Sequence, residues 1–226
     1  MLLPRLEGVN PNEVLLYLGY RGGGVPEDQA QLIQRCIGDV LSASRPRLVY
    51  RVFPVSGGQL TGAALSLEGE DIRRHLDACP QAVLMAATLG PDVETLLMRA
   101  EVTDMARAVV LDSVASAAIE NVCDNLEADL RREYEGQGLY LTDRFSPGYG
   151  DLPIRLQAPM CEVLDTRRRI GLSVSESGIL LPRKSVTALL GVSEIPSPRR
   201  SSGCANCSLF HTCDRRKCRT AADSPL

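Results

Sequence analysis

Tryptophan is absent from this chain, and aromatic residues of all kinds make up only 4% of it, so its core has to be built from Leu, Val, Ile and Ala. Long apolar runs are missing too. None approaches the roughly 18 residues of a membrane span, and Met1-Leu-Leu-Pro-Arg5 lacks the pattern of a signal peptide. The expected compartment is therefore the cytoplasm, where thiols stay reduced and clustered cysteines serve as metal ligands more often than as disulfides. Charge of one sign is also lacking: a formal net charge of −3 makes no case for nucleic acid as a partner, and no membrane partner is expected. Three consecutive glycines, Gly22–Gly24, would suit a phosphate cradle, but no Gly-Lys-Ser/Thr follows them and they read as a linker. A chain of 226 residues that is 44% hydrophobic and 23% charged is enough for one substantial core with an appendage.

Periodicity and breakers place the elements. A short helix is expected over Pro11–Leu18 and a longer one from Pro26 to about Ser42, burying Leu32, Ile33, Cys36, Ile37, Val40 and Leu41. Leu48–Pro54 has strand composition, with Pro54 closing it, and Gln59–Leu67 gives a second strand after the Gly57-Gly58 turn. Glu70–Ala78 reads as a short helix, on which His75 is an ordinary surface residue. Ala82–Ala87 is a continuous apolar run of buried-strand type, followed by a helix that opens at Pro91. The longest helical pattern runs from Thr103 to Glu135, about 50 Å if unbroken, with Ile119, Val122, Cys123, Leu126, Leu130 and Tyr134 on one face. In its middle Ala115-Ser-Ala-Ala118 lets another element or a ligand approach, and Ser116 and Glu120 lie one turn apart. Cys161–Arg169 is expected to be helical, Leu172–Leu181 and Val186–Val192 extended. Helices and strands do not alternate simply, which predicts an α+β fold with long helices packed on a mainly antiparallel sheet.

The stretch Thr142-Asp-Arg-Phe-Ser-Pro-Gly-Tyr-Gly-Asp151 stands apart. Pro147, Gly148 and Gly150 exclude helix and regular strand, and the glycines permit close approach of a ligand. Arg144, Ser146, Tyr149 and Asp151 supply a carboxylate binder, a hydroxyl, a ring and an acid. A surface loop whose arginine makes an ordinary ion pair would use the same residues.

Arg144-Phe-Ser-Pro-Gly-Tyr149 resembles the Arg-x-x-x-Gly-Tyr signature of the activation domain of cobalamin-dependent methionine synthase. The similarity continues through Pro159–Arg169, Ile170-Gly171, Val174-Ser-Glu-Ser177 and Pro182-Arg-Lys-Ser-Val186, so that it covers roughly residues 100–191, and the whole chain is similar to short stand-alone relatives of that domain. The resemblance implies a protein that binds S-adenosylmethionine and supports reductive methylation of a corrinoid, with Arg144 on the methionyl carboxylate, Tyr149 as a packing or hydrogen-bonding contact, and backbone groups presented by Ser146 and Gly148. The family's acidic ligand contact aligns with Ser116, a departure, and a second acid one turn later aligns with Glu120, which is taken as a candidate contact. No catalytic side chain is implied, because cobalt is the nucleophile and the protein has only to position the sulfonium methyl. No Asp-x-His-x-x-Gly corrinoid motif is present, so the cobalamin is expected on a partner, a methionine synthase or related methyltransferase, with an electron donor besides.

Residues 1–194 are expected to form the core, helical over about 1–45 and ligand-binding over about 46–194, and residues 195–226 a linker and tail. After the Pro/Ser-rich stretch Ile195–Gly203 come Cys204, Cys207, Cys213 and Cys218, spaced Cys-x2-Cys-x5-Cys-x4-Cys. Four thiolates suit an iron–sulfur cluster or a zinc ion; a single close pair favours the cluster, while His211 offers zinc a substitute ligand. Arg199, Arg200, Arg215, Arg216, Lys217 and Arg219 make the tail basic. Three functions stay open on these grounds: a stand-alone activation protein, an iron–sulfur electron carrier or reductase component serving a corrinoid protein, and a non-catalytic S-adenosylmethionine-binding protein.

Overall fold

A computed structural model describes residues 3–20, 24–63 and 65–196. In chain order these form helices α1 (Pro11–Tyr17) and α2 (Glu27–Ala43), strands β1 (Arg47–Ser56), β2 (Gln59–Leu60) and β3 (Leu65–Ser66), helix α3 (Glu70–His75), strand β4 (Gln81–Thr88), helices α4 (Pro91–Thr103) and α5 (Met105–Glu135), and strand β5 (Tyr140–Leu141). A 3-10 turn (Ile154–Leu156), helices α6 (Gln157–Leu164) and α7 (Thr166–Ile170), and strands β6 (Ser173–Val174), β7 (Leu180–Leu181) and β8 (Ser185–Ser193) complete it. The fold is α+β. Its main sheet has the order β3-β2-β1-β4-β8-β5, antiparallel at every pairing.

β4 is the centre of that sheet, paired along its whole length with β1 and β8. Successive side chains of a strand point to opposite faces. Val83, Met85 and Ala87 enter one core with residues of α1, α2, α4 and α5. Ala82, Leu84 and Ala86 enter a second core with Ile72 of α3, Met160 and Leu164 of α6 and Ile170 of α7. Burial on both faces is the reason β4 is an unbroken apolar run rather than an alternating one. α5 lies across the first core, burying Ile119, Val122, Cys123, Leu126, Leu130 and Tyr134 together with Ala115, Ala117 and Ala118, and α1, α2 and α4 pack against it. Among the described residues no helix is long and apolar enough to cross a membrane.

Several expected boundaries move, each for a physical reason. Pro54 does not end β1. Its carbonyl accepts from Thr61 N–H at 2.8 Å, on the side away from β4, so the N–H that proline lacks is not one the central ladder uses. Gln59–Leu67 is a small hairpin of β2 and β3 rather than one strand. The long helix begins at Met105, because Asp104 adopts extended backbone and caps α5 by accepting from Arg107 N–H at 3.0 Å. Cys161–Arg169 breaks at Asp165, whose φ of 50° separates α6 from α7. Leu172–Leu181 folds back on itself as the β6–β7 pair. In α2, Leu32 is only partly buried and Leu41 is exposed, while Ile33, Cys36, Ile37 and Val40 form the buried stripe. Cys36, Cys79, Cys123 and Cys161 are free and buried, as their apolar surroundings suggest.

Gly191 shows how tightly β8 is packed. A Cβ there would stand 2.5 Å from Cys79 Sγ and 3.1 Å from Thr142 Cγ2, both in side chains held close to the backbone. Gly191→Ala is expected to cost about 1–3 kcal/mol by overpacking, read as a lowered urea midpoint with an unchanged slope; a midpoint equal to wild type would show that Cys79 can move aside.

Candidate functional site

The geometry of the central stretch starts from a mismatch in length. Leu141 pairs with Val192 at the end of β5, and Phe145 next pairs with Leu189. Three residues, Thr142, Asp143 and Arg144, therefore face only two, Leu190 and Gly191. The extra residue makes a β-bulge, which bends the strand and re-aims a side chain. Thr142 stays tied to β8: its N–H donates to the Gly191 carbonyl at 2.9 Å and its Oγ1 accepts from Gly191 N–H at 2.8 Å. Arg144 is turned to α5.

There it meets three carboxylates. Arg144 Nη2 donates to Glu120 at 2.9 Å and to Asp124 at 2.7 Å, and Nη1 donates to Glu127 Oε2 at 2.9 Å. The arginine side chain is only 17% exposed. Burial opposes its charge, but Cys123 and the carboxylates of Asp124, Glu120 and Glu127 outweigh that and hold its pKa above the ordinary value. Glu127 is shared, since Arg131 donates to its other oxygen from Nε at 3.0 Å and Nη2 at 2.7 Å. Arg131 also donates to the carbonyls of Leu141 and Thr142 and to Asp143 Oδ1. Residues 120, 124, 127 and 131 follow the four-three-four spacing of one helix edge.

The structure thus brings Arg144 and Glu120 into direct contact. Sequence reasoning missed Asp124, Glu127 and Arg131, although their spacing from Glu120 was the signal that could have found them. Ser116, one turn earlier on that edge, donates to the Asp112 carbonyl and accepts from Lys184 Nζ, each at 2.9 Å; Lys184 is also paired with Asp112 at 2.7 Å. α1 brings in Tyr17, for which the sequence held no signal. Its phenol is pushed up to about 12, by burial first and then by Glu120, Glu13, Tyr149 and Asp124.

The rest of the loop turns on its own hydrogen bonds. Gly148 N–H donates to the Leu152 carbonyl at 2.8 Å, and the Ser146 carbonyl accepts from Tyr149 N–H at 3.1 Å. Gly148 has φ 94°, a conformation that favours glycine. The Tyr149 ring is exposed. Asp151 faces away from Arg144: it accepts from the N–H groups of Glu70 at 2.6 Å and Asp71 at 3.1 Å, capping α3 from a distant part of the chain. Those bonds, that of Glu70 first, hold its carboxyl below the usual range.

His75 is not a surface residue. It is buried, packs against Phe145 with ring centroids 5.1 Å apart and planes tilted by 44°, and sets Nε2 2.9 Å from the Asp143 carbonyl and 2.8 Å from Thr142 Oγ1. A carbonyl can only accept, so Nε2 carries the proton. Two open cavities flank this histidine end of the loop. One of about 610 Å³ lies around Arg73, Cys79 and Ile195, and one of about 220 Å³ around His75, Thr142 and Ser193. Neither touches Arg144, Glu120 or Tyr149. Among the described residues no group of His, Cys, Asp and Glu is arranged to hold a metal ion; Cys204, Cys207, Cys213 and Cys218 lie outside the described residues.

The Tyr17 environment has a testable consequence. The unfolded phenol loses its proton near 10 and the folded one near 12, so the folded state binds more protons in that window. Its contribution to stability is complete below pH 10 and lost as pH rises to 12. Tyr17→Phe is expected to flatten the fall in stability across that window in urea titrations; an unchanged slope would mean that Tyr17 ionises like a free tyrosine.

No family model matches the chain, and no curated protein matches it. Among solved structures, the crystal structure of the MetH reactivation domain bound to AdoHcy superposes with a TM-score of 0.59 over 81% of this chain and 73% of that one, at 16% identity. In fold, this chain resembles the MetH reactivation domain.

Proposed function

We propose that the chain binds S-adenosylmethionine along the Arg144 edge of α5 and supports reductive methylation of a corrinoid carried by a partner, a methionine synthase or related methyltransferase. The observation that carries this reading is Arg144 itself: a partly buried guanidinium, held by a bulge against a helix edge rich in carboxylates, in a fold resembling a domain solved with AdoHcy. Carboxylates outnumber guanidiniums in the cluster, which suits a ligand that is cationic overall, as S-adenosylmethionine is with its sulfonium and ammonium.

Arg144 would take the methionyl carboxylate by exchanging one of its present partners. Asp124 is the least costly to release, being 59% exposed where Glu127 is 17% exposed, so water can replace the lost contact. Glu120 and the freed Asp124 would then face the ligand ammonium. Tyr149, exposed, would offer its ring, and Tyr17, near Glu120 and Asp124, would stand by as a neutral phenol. A partner's corrinoid, with an electron from a donor protein, would supply the nucleophile for the methyl group, and S-adenosylhomocysteine would remain on this chain. The work of this chain is to hold the sulfonium methyl in line, and no proton has to move.

Thermal unfolding with and without ligand tests the site. At about 100 times the dissociation constant, S-adenosylmethionine is expected to add about 2.7 kcal/mol of stability to wild type. Arg144→Lys, which keeps the charge but not the planar fork, should lose most of that gain. An equal shift in both proteins would remove Arg144 from the site, and no shift in wild type would remove the site.

For the tail, the spacing of Cys204, Cys207, Cys213 and Cys218 is the whole support for a bound metal, and an iron–sulfur cluster is the proposal. The full chain purified without oxygen is then expected to contain iron and to absorb visible light. Stoichiometric zinc without colour would exclude an electron-carrying role for the tail, and no metal at all would exclude both.

A further inference from the structure

We infer that Arg131 is a positioning residue for ligand recognition by Arg144, acting through Glu127 and the carbonyls of the bulge; the inference rests on the reading of the Arg144 site given above. One carboxylate is divided between two guanidiniums. Glu127 Oε1 is held by Arg131 Nε and Nη2 at 3.0 and 2.7 Å, and Oε2 by Arg144 Nη1 at 2.9 Å. With both oxygens engaged, the carboxylate plane is fixed, and so is the line along which Arg144 approaches it. The side chains of Arg131, Glu127 and Arg144 are 12%, 17% and 17% exposed, so water competes poorly for these contacts.

Arg131 has a second hold on the same geometry. Its Nη1 donates to the Leu141 carbonyl at 2.5 Å and its Nη2 to the Thr142 carbonyl at 3.0 Å, with Asp143 Oδ1 at 3.3 Å. Those are the residues that precede Arg144 in the bulge, and Leu141 and Thr142 are buried. A single side chain thereby sets both the backbone from which Arg144 projects and the carboxylate on which it rests. It also takes up charge on Glu127 that Arg144 would otherwise have to neutralise alone, leaving Arg144 more able to accept an incoming carboxylate. Lysine cannot substitute, because one ammonium point charge cannot reach a carboxylate and two carbonyls in the fixed geometry of the guanidinium fork.

Calorimetric titration of the full chain separates this role from a structural one. The ligands are S-adenosylmethionine and its decarboxylated analogue, which keeps the adenosine, sulfonium and amine and lacks only the carboxylate. Arg131→Met is expected to weaken S-adenosylmethionine about tenfold, within the coupling range of residues that share a partner, while affinity for the analogue stays as in wild type. In an Arg144→Ala background the same substitution should change neither affinity. Equal losses for the two ligands, a loss that persists without Arg144, or no loss at all would each overturn the inference. If thermal unfolding shows that Arg131→Met does not fold, Arg131→Lys carries the same comparison, with a carboxylate-dependent loss again expected. A wild-type chain that binds the decarboxylated analogue but not S-adenosylmethionine would also overturn it, whereas one that binds neither would overturn the underlying reading of the site.

Discussion

One residue of excess length opposite β8 decides where the polar chemistry of this chain lies. Between the Leu141–Val192 and Phe145–Leu189 pairings the outer strand has three residues to fit against two. A regular strand would place Arg144 in register on the sheet edge; the bulge sends it to α5 instead. The ion pairs of Arg144 follow from the diversion. Glu120, Asp124 and Glu127 converge on the guanidinium, and Arg131 reaches back to the carbonyls of Leu141 and Thr142. A cation drawn mostly out of water needs pairing and hydrogen bonds, and here the pairing is supplied by a helix edge rather than by the loop that carries the arginine.

Much of this architecture can be read in the sequence, and the reasons differ by element. β4 announces itself because burial on both faces demands an unbroken apolar run, and α5 because a single buried face over eight turns leaves a long periodic record. Capping chemistry was less legible. Asp104, an ordinary polar residue inside a helical pattern, takes extended backbone and starts a new helix. Asp165 splits α6 from α7 with a left-handed conformation that aspartate reaches more easily than most residues. Pro54 misleads because the cost of proline in a strand depends on which neighbour its missing N–H would have faced, and the sequence does not say which side is occupied.

The site divides in the same way. Arg144, Gly148 and Tyr149 stand out by local composition, and Glu120 by its place on the long helix. Asp124, Glu127 and Arg131 share a helix edge with Glu120, but on a solvated helix such residues are ordinary, and only the bulge gives them a common target. Tyr17 arrives through tertiary packing of a helix more than a hundred residues away in sequence, for which no local pattern exists. In sequence His75 keeps the company of an exposed residue, with Arg73, Arg74 and Asp77 beside it. Its burial comes from Phe145 and Thr142, which the bulge carries over α3.

That last contact bears on how a Gly/Pro turn whose tip, Gly148–Gly150, is exposed can be held rigidly. The loop is braced on both faces of the sheet. On the face of α5, Arg131 and Arg144 hold its first residues. On the opposite face, His75 holds the Asp143 carbonyl and Asp151 caps α3. Gly69 and Gly150 allow that second contact: a Cβ on Gly69 would lie 2.4 Å from Asp151 Oδ1, and one on Gly150 would lie 2.4 Å from Asp71 Oδ2. With its ends fixed to two layers, the segment between them has little conformational freedom left to lose. A ligand that meets Arg144 would therefore meet a group whose ordering cost was met in folding, and binding energy that would otherwise go into freezing a loop would stay available for orientation. Two-sided bracing of a short loop, by His75 and Asp151 on one face and Arg131 and Arg144 on the other, is the physical source of that rigidity.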